Sequence, residues 1–247
     1  MTRKSFVGYV VLPALAMTGY LVCLWFFPKF AKEVLHSERG LIEMATALAF
    51  LAASCLGWRL LAGTRGAVPG WASAMYGLFS VAALFVALEE VSYGQKILHF
   101  QSPGWFAQNN SKRETNLHNM LGNSPSNRMR QVATIGCPVI CLILPLIAGF
   151  RRGRYQPRHW TYYLLPRMEL ATLAAITLLL SGLRRFRLLE TADIWEHMSE
   201  VRELVWGTVA ICYVAILSRR LIGQPTTRVS EQSHRAEPGA TAYQEAA

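Results

Sequence analysis

Glutamate and histidine at helical spacings are the residues of this chain suited to proton transfer or metal binding, and three stretches gather them. The first reads ALEEVSYGQKILHF over residues 87–100. Glu89 and Glu90 follow an apolar run, where a carboxylate facing lipid is costly. Both are therefore expected to turn toward a bundle interior, a cation or a water-filled cavity. On a continuous helix Glu89, Tyr93 and Lys96 share one face, and Glu90, Gly94 and Ile97 another. That arrangement pairs Glu89 with Lys96 and aims Glu90 inward as a candidate general base, with Glu89 the second candidate catalytic carboxylate. A polar helix end at headgroup level is the simpler alternative.

The second stretch, KRETNLHNM over 112–120, sets Glu114 and His118 four residues apart. On one helix face such a pair can share a metal, or the carboxylate can fix the histidine tautomer. A plain local hydrogen bond is the other option. The third, ETADIWEHMSEVRELVWG over 190–207, repeats the spacing with Asp193 and His197 and places Glu200 three residues after His197. Carboxylates and histidines from facing helices build dinuclear metal centres in bundles. Glu114, His118, His197 and Glu200 are thus a candidate ligand set for a divalent metal, zinc, iron or manganese; otherwise the third stretch is a solvated amphipathic helix. Glu43, in RGLIEMATALAF, either joins these acids or pairs with Arg39, its i−4 neighbour.

The elements that position these residues are apolar. Hydrophobic residues make up 52% of the 247, and mean hydropathy is positive, which lifts the chain out of the ordinary soluble range. A transmembrane helix needs roughly 20 mostly apolar residues, and six stretches approach that length: Phe6 to Phe27, Leu41 to Leu61, Trp71 to Leu88, Val132 to Phe150, Leu164 to Leu183, and Val201 to Leu217. Because the runs are continuous rather than alternating, they predict an all-α polytopic bundle of about six transmembrane helices, not a barrel. The first run lacks a small-residue cleavage site before Trp25-Phe26-Phe27, so it reads as a retained anchor. A polar segment from Gly94 to Gln131 joins the third and fourth spans, and its GWFAQNN portion is expected to lie along or re-enter the membrane. Residues 1–222 then form one transmembrane domain and 223–247 a disordered polar tail. All five cysteines fall in apolar runs, where packing outweighs a soft metal site at Cys137 and Cys141.

Six spans put both termini and the even loops on one side. The even loops, RLLAGTRG and RRGRYQPRH, are almost purely basic, which predicts cytoplasmic termini in the cell's inner (cytoplasmic) membrane. Eleven of the fifteen acids, Glu33, Glu38, Glu43, Glu89, Glu90, Glu114, Glu190, Asp193, Glu196, Glu200 and Glu203, fall on the other side. His36, His99, His118 and His197 join them. Acids contribute little to orientation, so this bias calls for a hydrated extracytoplasmic site. The net charge of +10 is assigned to topology and anionic lipid headgroups rather than to nucleic acid.

The strings EEVSYGQ and ETNLHN, over residues 89–119, resemble a pattern of uncharacterised bacterial multi-pass membrane proteins in which EE-x-S-aromatic-GQ precedes E-x-NLHN. The resemblance implies a polar centre of Glu89, Glu90, Ser92, Gly94, Gln95, Glu114, Asn116, His118 and Asn119, and no activity. HExxH, Walker and GxSxG motifs are absent from the sequence. Three function classes follow: a metal-assisted hydrolase or transferase acting on a lipid or lipid-linked substrate, a proton- or cation-coupled transporter, and a non-enzymatic membrane scaffold. Membrane lipids are the expected partners, and a homo-oligomer would answer the small size that counts against transport.

Overall fold

The computed structural model describes residues 7–35, 41–110, 113–117, 120, 132, 134–150, 156, 159–166, 168–186 and 192–222; along 192–199 the description is of the backbone alone. His118, Asn119, the side chain of His197, Arg39 and the tail 223–247 therefore lie outside the described residues, with the expectations attached to them. Among the described residues the fold is helical, without strands and with one isolated bridge between Asn110 and Met120.

The helices are α1 (Leu12–Phe26), α2 (Leu41–Gly63), α3 (Gly70–Glu90), α4 (Gln95–Leu98), α5 (Gly104–Asn109), α6 (Thr134–Phe150), α7 (Trp160–Leu164), α8 (Ala171–Phe186) and α9 (Ala192–Leu221). Among the described residues three stretches are long and apolar enough to cross a membrane: α2, α3 and the Glu200–Leu221 portion of α9. The apolar stretches Leu12–Cys23, Thr134–Phe150 and Met168–Gly182 are shorter. Proline accounts for one of these differences. The fifth run was expected to start at Leu164, but Leu165 is extended ahead of Pro166, as the residue before a proline prefers, and α7 ends there. In α6, Pro138 and Pro145 flank a π-type turn over Val139–Ile143.

The tightest packing joins α2, α3 and α9. Ile42 shares a core with Val201, Ala53 with Ala210, and Leu60 with Val214 and Leu217. The numbers climb together, so α2 and α9 run parallel, while Ala83 beside Ala53 and Ala72 beside Leu60 make α3 antiparallel to both. Small residues permit the approach, which is how helices associate where water does not drive them together. A Cβ added to Gly207 would lie 2.9 Å from the Ala49 Cβ, and one added to Gly57 would strike the Ser80 hydroxyl. Ser54 Oγ donates to the Ser80 carbonyl oxygen at 2.8 Å across the same seam. At the charged start of α9's apolar run, the Arg202 guanidinium lies 5.0 Å from the Trp206 ring centroid, which gives the cation an aromatic face.

At the far end of the bundle, α7 is tied down by its carbonyls. Tyr76 Oη donates to Tyr163 O at 2.9 Å, Tyr213 Oη to Leu164 O at 2.6 Å, and Arg220 Nη1 to Tyr162 O and Leu165 O at 2.9 and 2.7 Å. These donors satisfy a helix end that has no further turn to bond with.

The seam gives a direct test. Gly207→Val should lower the thermal midpoint of the detergent-purified protein, with a destabilisation of about 1–3 kcal/mol from overpacking. Gly8→Ala, where a Cβ meets nothing within 4 Å, should leave it unchanged in the same thermal size-exclusion assay.

Candidate functional site

The helix carrying the paired glutamates stops directly after them. Beyond Glu90 the backbone takes three consecutive left-handed residues, Ser92 (φ 49°), Tyr93 (φ 52°) and Gly94 (φ 89°). Gly94 adopts this region freely, while Ser92 and Tyr93 each cost on the order of 1–3 kcal/mol unless their surroundings hold them there. A continuous helix through Lys96 is thereby ruled out, and the face shared by Glu89 and Lys96 does not exist. The reversal carries the short α4 back across the ends of α2 and α3.

Lys96 is the centre of what results. Its ammonium pairs with Glu43 Oε1, lies 3.7 Å from Glu114 Oε1, and donates to the Glu90 carbonyl oxygen at 3.2 Å. The side chains are 7% exposed for Lys96, 13% for Glu43 and 14% for Glu114, so the charges meet largely out of water. Glu43 occupies the first turn of α2, where the helix N-terminus also favours an anion. The anticipated Glu89–Lys96 pair is thus replaced by a bridge from α4 to α2 and to the 113–117 segment.

That segment is irregular rather than helical over residues 113–117; the expected Glu114–His118 pair involves a residue outside the described ones. Its shape follows from side chains that bond backbone. Asn110 Nδ2 donates to both Asn116 O and Asn116 Oδ1 at 2.8 Å, and Asn110 Oδ1 accepts from Glu114 N at 3.3 Å. Asn116 Nδ2 donates to Glu114 Oε2 at 2.6 Å and to Ser92 Oγ at 2.9 Å, while Ser92 Oγ donates to Glu114 Oε2 at 3.2 Å. Ser92 and Asn116 are fully buried. These contacts over-determine the Ser92 conformation, which is the condition for strained backbone to persist.

Two further ties close the loop. Gln95 Oε1 accepts from Thr115 N at 2.6 Å while its Nε2 donates to Ser102 Oγ at 2.9 Å, and Ser102 Oγ donates on to Arg113 O at 2.6 Å. Leu117 N donates to Glu89 Oε2 at 2.8 Å. Burial, and after it the Glu89 carboxylate that its hydroxyl meets, pushes the Tyr93 phenol above its ordinary pKa and keeps it a donor. Glu89 and Glu90 are both buried, at 5% and 8% exposure.

Of the expected site residues, Glu43, Glu89, Gln95, Glu114 and Asn116 enter this network by their side chains and Glu90 by its carbonyl oxygen. Glu200 stands at the start of the apolar run of α9. Among the described residues no group of three or more His, Cys, Asp and Glu side chains could hold a metal ion; the ligand set drawn from the sequence includes His118 and the His197 side chain, outside that description. Cys141 is buried and Cys137 lies 4.0 Å from Thr177 Oγ1, contacts that belong to helix packing. Sequence reasoning gives Lys96 only as a partner for Glu89, and the resemblance gives Ser92; Ser102, Asn110 and Thr115 as connectors are singled out by neither. A signal existed for Asn110, since asparagine commonly organises turns through its own side chain. No known family model, curated protein or solved structure matches the chain.

Lys96→Met would leave Glu43 and Glu114 buried without their cation. It should destabilise the protein by about 3 kcal/mol in denaturant unfolding and open the loop between α3 and α6 to protease. Adding Glu43→Gln to that variant should recover part of the loss, whereas simple additivity would show that the pair is not energetically coupled.

Proposed function

We propose that this chain is a multi-pass protein of the inner membrane, with about six spans and cytoplasmic termini, whose extracytoplasmic end acts as a hydrolase or transferase on a lipid or lipid-linked substrate. One observation carries the reading: two adjacent carboxylates are buried at the end of a membrane-length helix, under a polar loop held down by a buried lysine. Ionisable groups are expensive at that depth, and a chain that needed only a helix terminator would have a cheaper one.

The network divides the labour between the two acids. Glu89 is occupied by the Leu117 amide and serves to hold the loop. Glu90 is the proton-transferring group in this reading. Its carboxylate takes the proton from a water or hydroxyl as that oxygen attacks an ester carbonyl or phosphorus, then returns it to the departing oxygen. Lys96, bound to the Glu90 carbonyl oxygen, fixes the helix end on which that carboxylate stands. His118 and His197 are the residues that would hold a divalent ion. When bound, such an ion would polarise the substrate and lower the pKa of water.

The test uses purified parent protein and Glu90→Gln in liposomes made from a total bacterial lipid extract, with the lipid profile followed by mass spectrometry. The parent should convert one component, and Glu90→Gln should slow that conversion by about 100-fold or more at unchanged thermal midpoint. An unaltered profile with well-folded parent would overturn the reading. Elemental analysis of parent, His118→Ala and His197→Ala belongs beside it: stoichiometric zinc, iron or manganese lost in both variants would make the histidines ligands, and a metal-free active parent would leave the chemistry to the carboxylate.

A further inference from the structure

The segment that covers the paired carboxylates turns an apolar surface outward. Ile97, Leu98, Phe100 and Trp105 are all exposed, Leu98 at 74%. Their polar neighbours point the other way. The Lys96 ammonium meets Glu43 and Glu114, Gln95 bonds Thr115 N and Ser102 Oγ, and Ser102 bonds Arg113 O. Polar groups inside and large apolar groups outside invert the pattern of a loop folded against water. Trp105 meets Phe106 edge to face, with ring centroids 5.1 Å apart, which gives the patch a fixed aromatic platform.

Helix length identifies what lies against this surface. At their opposite ends α2 and α3 each carry one exposed tryptophan, Trp58 and Trp71, the residue type that marks a membrane–water interface. Leu41 lies seventeen residues before Trp58, and Leu88 seventeen after Trp71. At 1.5 Å per residue, either distance is about 26 Å along the helix. Leu48 and Leu51 of α2 and Leu78 and Leu84 of α3 are exposed between those limits. A bilayer's hydrocarbon core is about 30 Å thick, so helices measured from the tryptophans end a few ångströms short of its far boundary. The covering segment therefore stands at that boundary and not out in water. The end of α1 marks the same level: Leu35, a short way beyond it, packs on the core that Ile42 joins, and Trp25, Phe26 and Phe27 are exposed. His99, Gln101 and Gln108 are exposed among the apolar residues of the covering segment. They suit glycerol and headgroup oxygens and set its depth at the interface.

We propose that residues 97–106 form an interfacial anchor, seated among the glycerol and upper acyl groups of the leaflet nearer Glu90, with the Lys96 cluster beneath the headgroups. The partner is the lipid surface itself. A second copy of the chain covering the same residues would account for their apolarity but not for their level relative to Trp58 and Trp71. The proposal rests on the membrane placement given under the proposed function and is independent of a catalytic role for Glu90. Joined to that role, it brings the substrate to Glu90 sideways, from within the leaflet.

The test reconstitutes full-length parent, Trp105→Phe and Trp71→Phe in phosphatidylcholine vesicles, plain or brominated near the top of the acyl chains, and reads tryptophan fluorescence. Subtracting each variant from the parent isolates the emission of the replaced residue. The Trp105 component should lose most of its intensity in brominated vesicles and little to aqueous iodide. Leu98→Glu should restore much of that intensity at an unchanged thermal midpoint, by lifting the segment off the lipid. Trp71 reports the membrane placement by its own quenching in brominated vesicles. Iodide quenching of Trp105 without lipid quenching, while Trp71 is quenched by lipid, overturns the anchor and spares the placement; absence of lipid quenching at both overturns the two together. A Trp105 reached by neither quencher is covered by protein, and that result also overturns the proposal. Lipid quenching of Trp105 in a parent that turns over no lipid upholds the anchor and refutes only the catalytic reading.

Discussion

Everything distinctive about the polar end of this molecule depends on one ammonium group. Lys96 is placed where two carboxylates from distant parts of the chain and one helix-end carbonyl converge, and each of those groups alone would be costly to bury. The lysine makes their burial tolerable, and they in turn fix its position. A buried ion pair of this kind contributes little net stability against an apolar alternative, but it specifies geometry, because an ammonium satisfied by three oxygens has few other places to go.

The backbone reversal after Glu90 is the other half of the same constraint. Ser92 and Tyr93 sit in a region where L-residues rarely stay. They are held there by the hydroxyl and amide contacts of Ser92, Asn116 and Glu114 and by the Tyr93 hydroxyl on Glu89. The salt bridge and the strained turn are therefore mutually dependent. Without the turn, Lys96 would follow the helix axis away from Glu43; without the bridge, the turn would lose the tie that anchors α4 to α2.

The helical class and the limits of α2 and α3 were legible in the sequence, because a long uninterrupted apolar run has few alternatives, whereas the last helix extends beyond the expected Val201 to Leu217 at both ends, from Ala192 to Leu221. The Leu41 start of α2 was read to the residue, and α3 differed from expectation by one or two residues at each end. The shorter stretches were less legible: proline and π-type turns divide runs that hydropathy alone reads as continuous. The polar site was legible in its membership and illegible in its wiring. Glu43, Glu89 and Glu114 could be named from residue type, and Gln95 and Asn116 from the resemblance, but their partners depend on a left-handed turn at Ser92 and Tyr93. Neither residue advertises such a turn, and helical periodicity therefore paired Glu89 with Lys96 incorrectly.

The contacts described above join residues 43–117. They draw on α2, α3 and the loop after them. Those residues emerge from the ribosome in one block, ahead of the C-terminal helices. The bridge from Lys96 to Glu43 and Glu114 can accordingly form as soon as the α2–α3 hairpin and its loop are inserted, and the later helices then dock against an end whose backbone reversal is already tied down.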